Sequence, residues 1–132
     1  MKYMLDTDIC IYIIKNNPAR AVKNFKKHLV SDMCISAITY AELENGICKS
    51  RDIRSNRAAL LNMLTGVKIM PFDAKAALLY GDIRSNLEIK GETIGPNDML
   101  IAAHAKSLGL TLITNNTKEF NRVPGLKVEN WT

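Results

Sequence analysis

Short apolar runs alternate with longer amphipathic segments along the chain. The apolar runs predict buried strands at residues 2–6, 33–35, 67–70 and 110–114, with a last edge strand around Val128. The segments between them predict helices over residues 9–14, from 18 onward, over 37–49, 52–65, 73–90 and 95–107, and a short helical turn from about 117. Strands that are separated by helices pair in parallel, because each crossover is long enough to hold a helix. The pattern therefore predicts an α/β fold with helices on both faces of a short, mainly parallel sheet.

Residues with particular backbone preferences stand where these elements begin and end. Pro18 is suited to the first turn of a helix, and Ser36 is placed to cap the helix after the second strand. Gly66, Gly91 and Gly109 each follow a predicted helix, where a left-handed residue commonly ends it. These residues support the predicted boundaries.

The composition is that of an ordinary soluble domain. Of the 132 residues, 47% are hydrophobic and 23% are charged, which predicts a single domain over residues 1–132. The longest apolar run, residues 9–14, is far shorter than the roughly 20 residues that span a bilayer, and the N-terminus has no room for a signal peptide. The 3 cysteines lack the spacing of a disulfide framework or a zinc site. We therefore expect a cytoplasmic protein with no membrane association.

Basic residues exceed acidic residues, 18 to 13, for a net charge of +5. They concentrate in a first basic cluster of Lys15, Arg20, Lys23, Lys26 and Lys27, and a second basic cluster of Lys49, Arg51, Arg54 and Arg57. Such clusters attract polyanions, but they are equally common as solvated helix faces. Charge alone leaves open whether the partner is a nucleic acid.

Acidic and amide side chains stand where the predicted strands end. Asp6 and Asp8 follow the first strand, a polar group follows the fourth strand, and Asp98 lies in the first turn of its helix; the polar group is Asn115, Asn116 and Glu119. If the first and fourth strands are neighbours, these side chains meet at one edge of the sheet. Carboxylates in one crevice repel each other unless they share protons or neutralise a cation. Oxygen ligands without histidine or cysteine suit Mg²⁺ or Mn²⁺.

Each acid also has a structural interpretation. Asp6 is equally suited to metal binding and to capping the next helix, although Asp8 is better placed for the cap. Asp98 is a common kind of first-turn acid, but it shares a helical stripe with Ile101 and Ala105, which predicts that it points inward and needs a partner.

Two glutamates share the helix after the second strand, and helical spacing does not choose between them. Glu44 has the more apolar neighbours, whereas Glu42 has Gly46 one turn later, which leaves room for a ligand. The two histidines, His28 and His104, stand apart from the acids and are expected to be packed or surface side chains.

Four motifs occur in order: Leu5-Asp6-Thr7-Asp8, Glu42-Leu43-x-x-Gly46, Gly95-Pro96-Asn97-Asp98 and Thr114-Asn115-Asn116-x-x-Glu119-Phe120. With these motifs the chain resembles the PIN-domain ribonucleases, and more closely the VapC toxins of bacterial VapBC toxin–antitoxin pairs. The resemblance implies an α/β/α sandwich. It also implies Mg²⁺-dependent endonucleolytic cleavage of RNA, often of tRNA near the anticodon, which inhibits translation.

The resemblance further implies roles for individual residues. Asp6 and Asp98 are the expected metal ligands, and Glu42 rather than Glu44 is the third acid. Many relatives carry an aspartate where this chain has Asn116, so Glu119 is the expected fourth acid and a complete second metal site is in question. The expected partners are an RNA substrate, a VapB-like antitoxin, a second copy of the chain, and operator DNA bound only through the antitoxin complex.

Supporting roles follow from the chemistry of phosphodiester hydrolysis. Thr7 and either Thr114 or Asn116 are expected to hydrogen-bond the acids or the scissile phosphate, and Asp8 is expected to have a supporting role only. Members of the two basic clusters are expected to hold the RNA backbone: Lys23, Lys26, Lys27, Arg51 and Arg54.

Two other functions are compatible with the sequence. Asp6-Thr7-Asp8 also matches the Asp-x-Asp of phosphatases in which the first aspartate becomes phosphorylated, although the chain is short for that class. A non-catalytic RNA- or protein-binding module, whose acids hold a structural cation, is the alternative from another class. A receiver domain is disfavoured because no aspartate closes the strand at 67–70.

Overall fold

Five parallel strands form one sheet in a computed structural model that describes all 132 residues. The strand order is β3-β2-β1-β4-β5, and every neighbouring pair is parallel. The strands are β1 (Tyr3–Leu5), β2 (Met33–Ser36), β3 (Lys68–Met70), β4 (Thr111–Ile113) and β5 (Lys127–Glu129). The order reverses at β1, since the chain moves to one side of β1 for β2 and β3 and to the other side for β4 and β5. Ligand sites of such sheets lie at the carboxyl edge beside this reversal.

Seven α-helices connect the strands. They are α1 (Thr7–Lys15), α2 (Ala19–Lys27), α3 (Ala37–Cys48), α4 (Ile53–Met63), α5 (Ala74–Lys90), α6 (Pro96–Ser107) and α7 (Thr117–Phe120), with a 3-10 turn at Val30–Asp32. The predicted α/β class and parallel sheet are confirmed. The 3-10 turn was not expected, and Pro18, predicted in the first turn of a helix, precedes α2 as its N-cap. No helix combines the length and the apolar content that crossing a bilayer requires.

Two hydrophobic cores lie on opposite faces of the sheet, because side chains alternate along each strand. Met4 of β1 points into the core formed with α5 and α6, and the next residue, Leu5, points into the core formed with α1, α3 and α4. Cys34 and Ile35 of β2 divide in the same way. The result is an α/β/α sandwich, as the sequence predicted.

The ends of the helices follow local chemistry. The Ser36 hydroxyl accepts a hydrogen bond from the Ile38 N–H at 3.0 Å and so caps α3, as predicted. Gly91 ends α5 in the left-handed conformation, with φ of 67°. The cap of α1 differs from the prediction, because Asp6 and not Asp8 provides it; Asp6 Oδ1 accepts from the Ile9 N–H at 2.9 Å. Since β1 ends at Leu5, Asp6 is the last extended residue, and Asp8 lies already inside the helix.

Candidate metal centre and active site

The predicted acids converge at the carboxyl edge of the sheet. Leu5 of β1 lies opposite Ile113 of β4, so the residues that follow, Asp6 and Thr114, leave the sheet side by side. The first turn of α6 brings Asp98 to the same edge of the sheet. Asp8 and Glu42 lie close enough there for their charges to raise the pKa of Asp98. We call the group of Asp6, Asp8, Glu42, Asp98 and Glu119 the acidic crevice.

Asp6 is the most deeply buried acid of the crevice, with 5% of its surface exposed. Burial above all, together with the charges of Asp8 and Asp98, raises the pKa of Asp6 to about 7. Hydrogen bonds from the Thr114 hydroxyl and the Ile9 N–H oppose this shift without overcoming it. Asp6 therefore caps α1 and still carries a carboxylate whose ionised form lacks a compensating charge.

Asp98 is half-buried and faces the other acids. Burial above all, followed by the charges of Glu42, Glu119 and Asp8 in that order, raises the pKa of Asp98 to about 6. The predicted inward stripe of α6 is confirmed at Ile101 and Ala105, which are fully buried, and fades at Leu108, which is 36% exposed.

No positive side chain neutralises the crevice. The ion pairs of the structure join Met1 with Asp32, Arg57 with Glu44 and Arg84 with Glu88, and none includes an acid of the crevice. The donor set is oxygen only, and no three acidic, histidine or cysteine side chains are grouped closely enough to enclose a metal ion. Such a set fits Mg²⁺, which keeps several of its waters and is commonly bound by one or two carboxylates together with substrate phosphates.

Glu42 is held in place by two donors. The Thr7 hydroxyl of α1 donates to Glu42 Oε1 at 2.6 Å, and Asn97 Nδ2 of α6 donates to Oε2 at 3.2 Å. The Thr7 hydroxyl also lies 3.3 Å from the hydroxyl of the buried Thr39. Two elements besides its own helix, α1 and α6, therefore fix the direction of this carboxylate.

Asn97 and Thr39 were not predicted as site residues. Asn97 precedes Asp98 in the Gly95–Asp98 motif, and Thr39 stands one helical turn before Glu42, so adjacency and spacing were the available signals. Glu44, the alternative to Glu42, pairs with Arg57 on another side of α3. The geometry therefore places Glu42, and not Glu44, in the crevice.

The segment after β4 contributes a polar turn. The Asn116 N–H donates to Thr114 Oγ1 at 2.9 Å, while the Asn116 side chain makes no hydrogen bond. Asn115 turns away and donates to the Tyr12 hydroxyl at 2.8 Å. Glu119 of α7 is half-buried, and its negative charge helps to raise the pKa of Asp98.

The basic residues predicted to bind RNA lie outside the acidic crevice. Lys23, Lys26 and Lys27 are exposed on α2, and Arg51 and Arg54 are exposed where α3 gives way to α4. None of the five forms an ion pair within the chain. They are therefore free to meet an external polyanion.

A groove of about 380 Å³ opens beside the crevice, between α1, α3 and α4. Glu42 lines it together with five apolar side chains, three other polar ones and Gly46; the lining is Ile11, Ile14, Lys15, Glu42, Leu43, Gly46, Ile47, Ser50, Asn56 and Leu60. Gly46 leaves open space here, since a Cβ at this position meets nothing within 4 Å.

Comparison with known proteins agrees with this geometry. The family model described as "PIN domain" matches residues 3–126 of the chain. The chain belongs to the PIN-domain family. The PIN domain is 43% identical over 132 residues to the tRNA(fMet)-specific endonuclease VapC of Shigella flexneri, an alignment that covers 100% of this chain and 99% of the relative.

Solved structures of the same family share the fold over the whole chain. The PIN domain superposes with a TM-score of 0.92 and 43% identity on VapBC2 from Rickettsia felis bound to a DNA fragment from its promoter, covering 100% of both chains. It superposes with a TM-score of 0.93 and 42% identity on DNA-bound VapBC from Salmonella typhimurium, covering 100% of this chain and 99% of the other. This similarity confirms the resemblance to the VapC ribonucleases and does not favour the phosphatase or the non-catalytic binding module.

Proposed function

We propose that the chain is the toxin of a type II toxin–antitoxin pair and acts as a metal-dependent endoribonuclease on RNA phosphodiesters. The observation that carries this proposal is the acidic crevice, where carboxylates converge at the ligand-binding edge of a parallel sheet without a cationic side chain. The substrate is tRNA, cleaved near the anticodon, so the activity inhibits translation. The name of the Shigella flexneri relative, which specifies tRNA(fMet), supports this choice.

Asp6 and Asp98 hold the metal ion in this proposal. Both are withdrawn from water and carry carboxylates that burial and neighbouring negative charges leave poorly stabilised. Mg²⁺ is the preferred ion, with Mn²⁺ as a substitute, because both favour oxygen ligands. When bound, the ion supplies a water of lowered pKa and screens the charge of the phosphate.

The remaining acids orient the attacking water and complete the ligand set. Glu42 is fixed at both of its oxygens by Thr7 and Asn97, so its position is defined before substrate arrives. Glu119 adds a negative charge from the side of α7. Asp8 supports the crevice electrostatically from the first turn of α1.

Two hydroxyl groups and one amide support these acids. Thr7 orients Glu42, and Thr114 donates to Asp6. The Asn116 side chain has no partner within the chain, which leaves its amide available to the scissile phosphate.

The exposed basic residues hold the RNA backbone. Lys23, Lys26 and Lys27 act from α2, and Arg51 and Arg54 act from the second basic cluster. Because these contacts release counterions, the affinity for RNA falls steeply as the salt concentration rises.

A VapB-like antitoxin is the proposed protein partner, and a second copy of the chain completes a homodimer. The solved VapBC complexes of Rickettsia felis and Salmonella typhimurium support the antitoxin and support operator binding through the complex. The apolar groove beside Glu42 is the proposed antitoxin surface. Ile11, Ile14 and Leu60 are among its apolar lining residues.

The test compares the purified chain with Asp98→Asn on total RNA and on isolated tRNA, in Mg²⁺, Mn²⁺ or EDTA. We expect discrete cuts by the parent chain in either metal, no cuts in EDTA, and no cuts by folded Asp98→Asn. End mapping of the products identifies the target and the cut position. Cleavage that persists in EDTA, or that folded Asp98→Asn retains, contradicts the proposal.

A further inference from the structure

A buried hydrogen bond joins the two helices that carry Glu42 and Asp98. His104 Nδ1 of α6 lies 2.7 Å from Ser36 Oγ, the cap of α3, across 68 positions of sequence. His104 is 1% exposed and Ser36 is fully buried. Both side chains lie outside the acidic crevice, and the proposed chemistry uses neither of them.

Two neighbours hold this pair in place. Ser36 Oγ accepts from the Ile38 N–H at 3.0 Å and shares a hydrogen bond with His104 Nδ1 at 2.7 Å. The backbone of Pro71 lies beside the ring. Burial lowers the pKa of His104, in agreement with a neutral ring.

His104 thereby contacts three segments at once. It lies on α6, shares a hydrogen bond with the cap of α3 and packs against the turn between β3 and α5, where the Phe72 ring lies edge-on at 5.3 Å. Every polar atom of this buried site has a partner. A satisfied polar contact of this kind fixes one orientation, whereas apolar packing at the same place tolerates small sliding.

A second contact joins the same two helices at the crevice itself, where Asn97 of α6 donates to Glu42 of α3. The start of α3 therefore meets the end of α6, and the middle of α3 meets the start of α6, so the helices run in opposite directions. The two contacts lie about 9–10 Å apart along each helix axis, at a rise of about 1.5 Å per residue. The contact at Ser36 is buried and the contact at Asn97 is exposed, so the buried one sets the alignment.

We propose that His104 is a positioning residue that sets the spacing of Glu42 and Asp98 through its hydrogen bond to Ser36. This inference rests on the proposed nuclease function. It assigns to His104 no contact with metal or RNA. Its effect passes through the alignment of α3 against α6, so loss of the hydrogen bond loosens the acidic crevice without touching the exposed basic residues that bind RNA.

The test uses variants that separate alignment from general stability. His104→Leu removes the hydrogen bond to Ser36, whereas His104→Asn keeps a polar group near the position of Nδ1. Ser36→Ala removes the partner of His104 and serves as the second variant if His104→Leu does not fold. Asp52→Ala is the matched control, because Asp52 caps α4, which carries none of the acids, through a bond to the Ser55 N–H.

The first readout is the affinity for Mn²⁺ without RNA, measured by electron paramagnetic resonance, and the second is kcat and KM on tRNA. For His104→Leu and Ser36→Ala we expect Mn²⁺ affinity and kcat each to fall about tenfold, the size seen when the support of a metal ligand is lost, with KM within about twofold of the parent value. His104→Asn should recover most of the loss. Asp52→Ala should keep the parent affinity and kcat at a lower melting temperature.

The outcomes separate the two proposals. Parent-like Mn²⁺ affinity and kcat in folded His104→Leu, or in Ser36→Ala when His104→Leu does not fold, overturns the positioning role while the nuclease stands. An equal loss in Asp52→Ala also overturns it, because general destabilisation then accounts for the effect. A parent chain that neither binds Mn²⁺ nor cleaves RNA overturns the nuclease and the inference together.

Discussion

Glu42 of the acidic crevice and Glu44, which pairs with Arg57 of the second basic cluster, both lie on α3, but their carboxylates have opposite surroundings. Glu44 accepts hydrogen bonds from Arg57, which lower the pKa of Glu44, and the pair lies at the surface. Two residues earlier, Glu42 faces other acids and receives only neutral donors, Thr7 and Asn97. The two positions are about 200° apart around the helix axis, at 3.6 residues per turn.

This difference identifies the carboxylates that are available for chemistry. An exposed ion pair such as Glu44–Arg57 is screened by water and contributes little to stability or to function. Carboxylates that are withdrawn from water without a cation cost stability, and the fold keeps them where a metal ion recovers that cost. The presence or absence of a cationic partner, rather than residue type, separates Glu42 from Glu44.

The largest expected effect comes from comparing the two glutamates directly. Glu42→Gln should lower kcat on tRNA by about 10²–10⁴-fold, the usual range for loss of a group that positions or deprotonates the attacking water. Glu44→Gln, on the same helix, should stay within about twofold, because its carboxylate serves only a surface ion pair. Equal losses in the two variants would contradict the assignment of Glu42, provided that circular dichroism shows both to be folded.

The next expected effect concerns stability without metal. The pKa of Asp6 is raised from 3.8 to about 7, so the folded state binds this proton more tightly than the unfolded state does. Stability from this group is therefore present at low pH and is lost as the pH rises from about 4 towards 7. Asp98, with a pKa raised to about 6, acts in the same direction.

Asp6→Asn should remove most of that loss while preserving the cap, since asparagine caps helices as well as aspartate does. In EDTA at pH 8, we expect the free energy of unfolding of the variant to exceed that of the parent by on the order of 2–4 kcal/mol, since one unit of pKa shift corresponds to about 1.4 kcal/mol. Urea unfolding at pH 5.5 and pH 8 measures the change. Glu44→Gln is the control, and a parent more stable at pH 8 than at pH 5.5 would contradict the prediction.

The elements and the acids of the site could be predicted from the sequence because local patterns encode both. Strands of three or four residues and capped helices leave a signature in hydrophobic period and in residues such as Ser36. The cap of α1 was assigned to the wrong aspartate, because two cap-forming residues stand two positions apart and only the end of β1 decides between them.

The contacts that orient the site join residues far apart in the chain. Asn97 reaches Glu42 across 55 positions, and His104 reaches Ser36 across 68. No periodicity within one helix reports on how two helices align. For the same reason helical spacing within α3 did not choose between Glu42 and Glu44, and before the structure only the family resemblance favoured Glu42.

A smaller effect is expected from the neutral donors of Glu42. Asn97→Ala and Thr7→Val each remove one hydrogen bond, and since one such bond contributes about 0.5–1.5 kcal/mol, kcat should fall by roughly twofold to tenfold. Arg57→Gln removes the partner of Glu44 and should leave kcat within about twofold. Single-turnover cleavage of tRNA separates these changes in chemistry from changes in product release. If Arg57→Gln lowers kcat as much as Asn97→Ala, the two glutamates are not distinguished by their partners.

The smallest expected effect concerns the basic side of the comparison. Lys26→Gln and Arg54→Gln each remove one exposed positive charge that has no partner within the chain, so each should weaken tRNA binding a few-fold at low salt and leave kcat unchanged. The slope of log affinity against log salt should become shallower by about 0.7–0.9 for every phosphate contact that is lost.

Lys90→Gln is the matched control, because Lys90 is equally exposed but ends α5 on the opposite face of the sheet. The assay is fluorescence titration of labelled tRNA with catalytically inactive Asp98→Asn as the background. If all three substitutions change the slope equally, the RNA responds to net charge rather than to a defined basic surface, and the two clusters are then solvated helix faces.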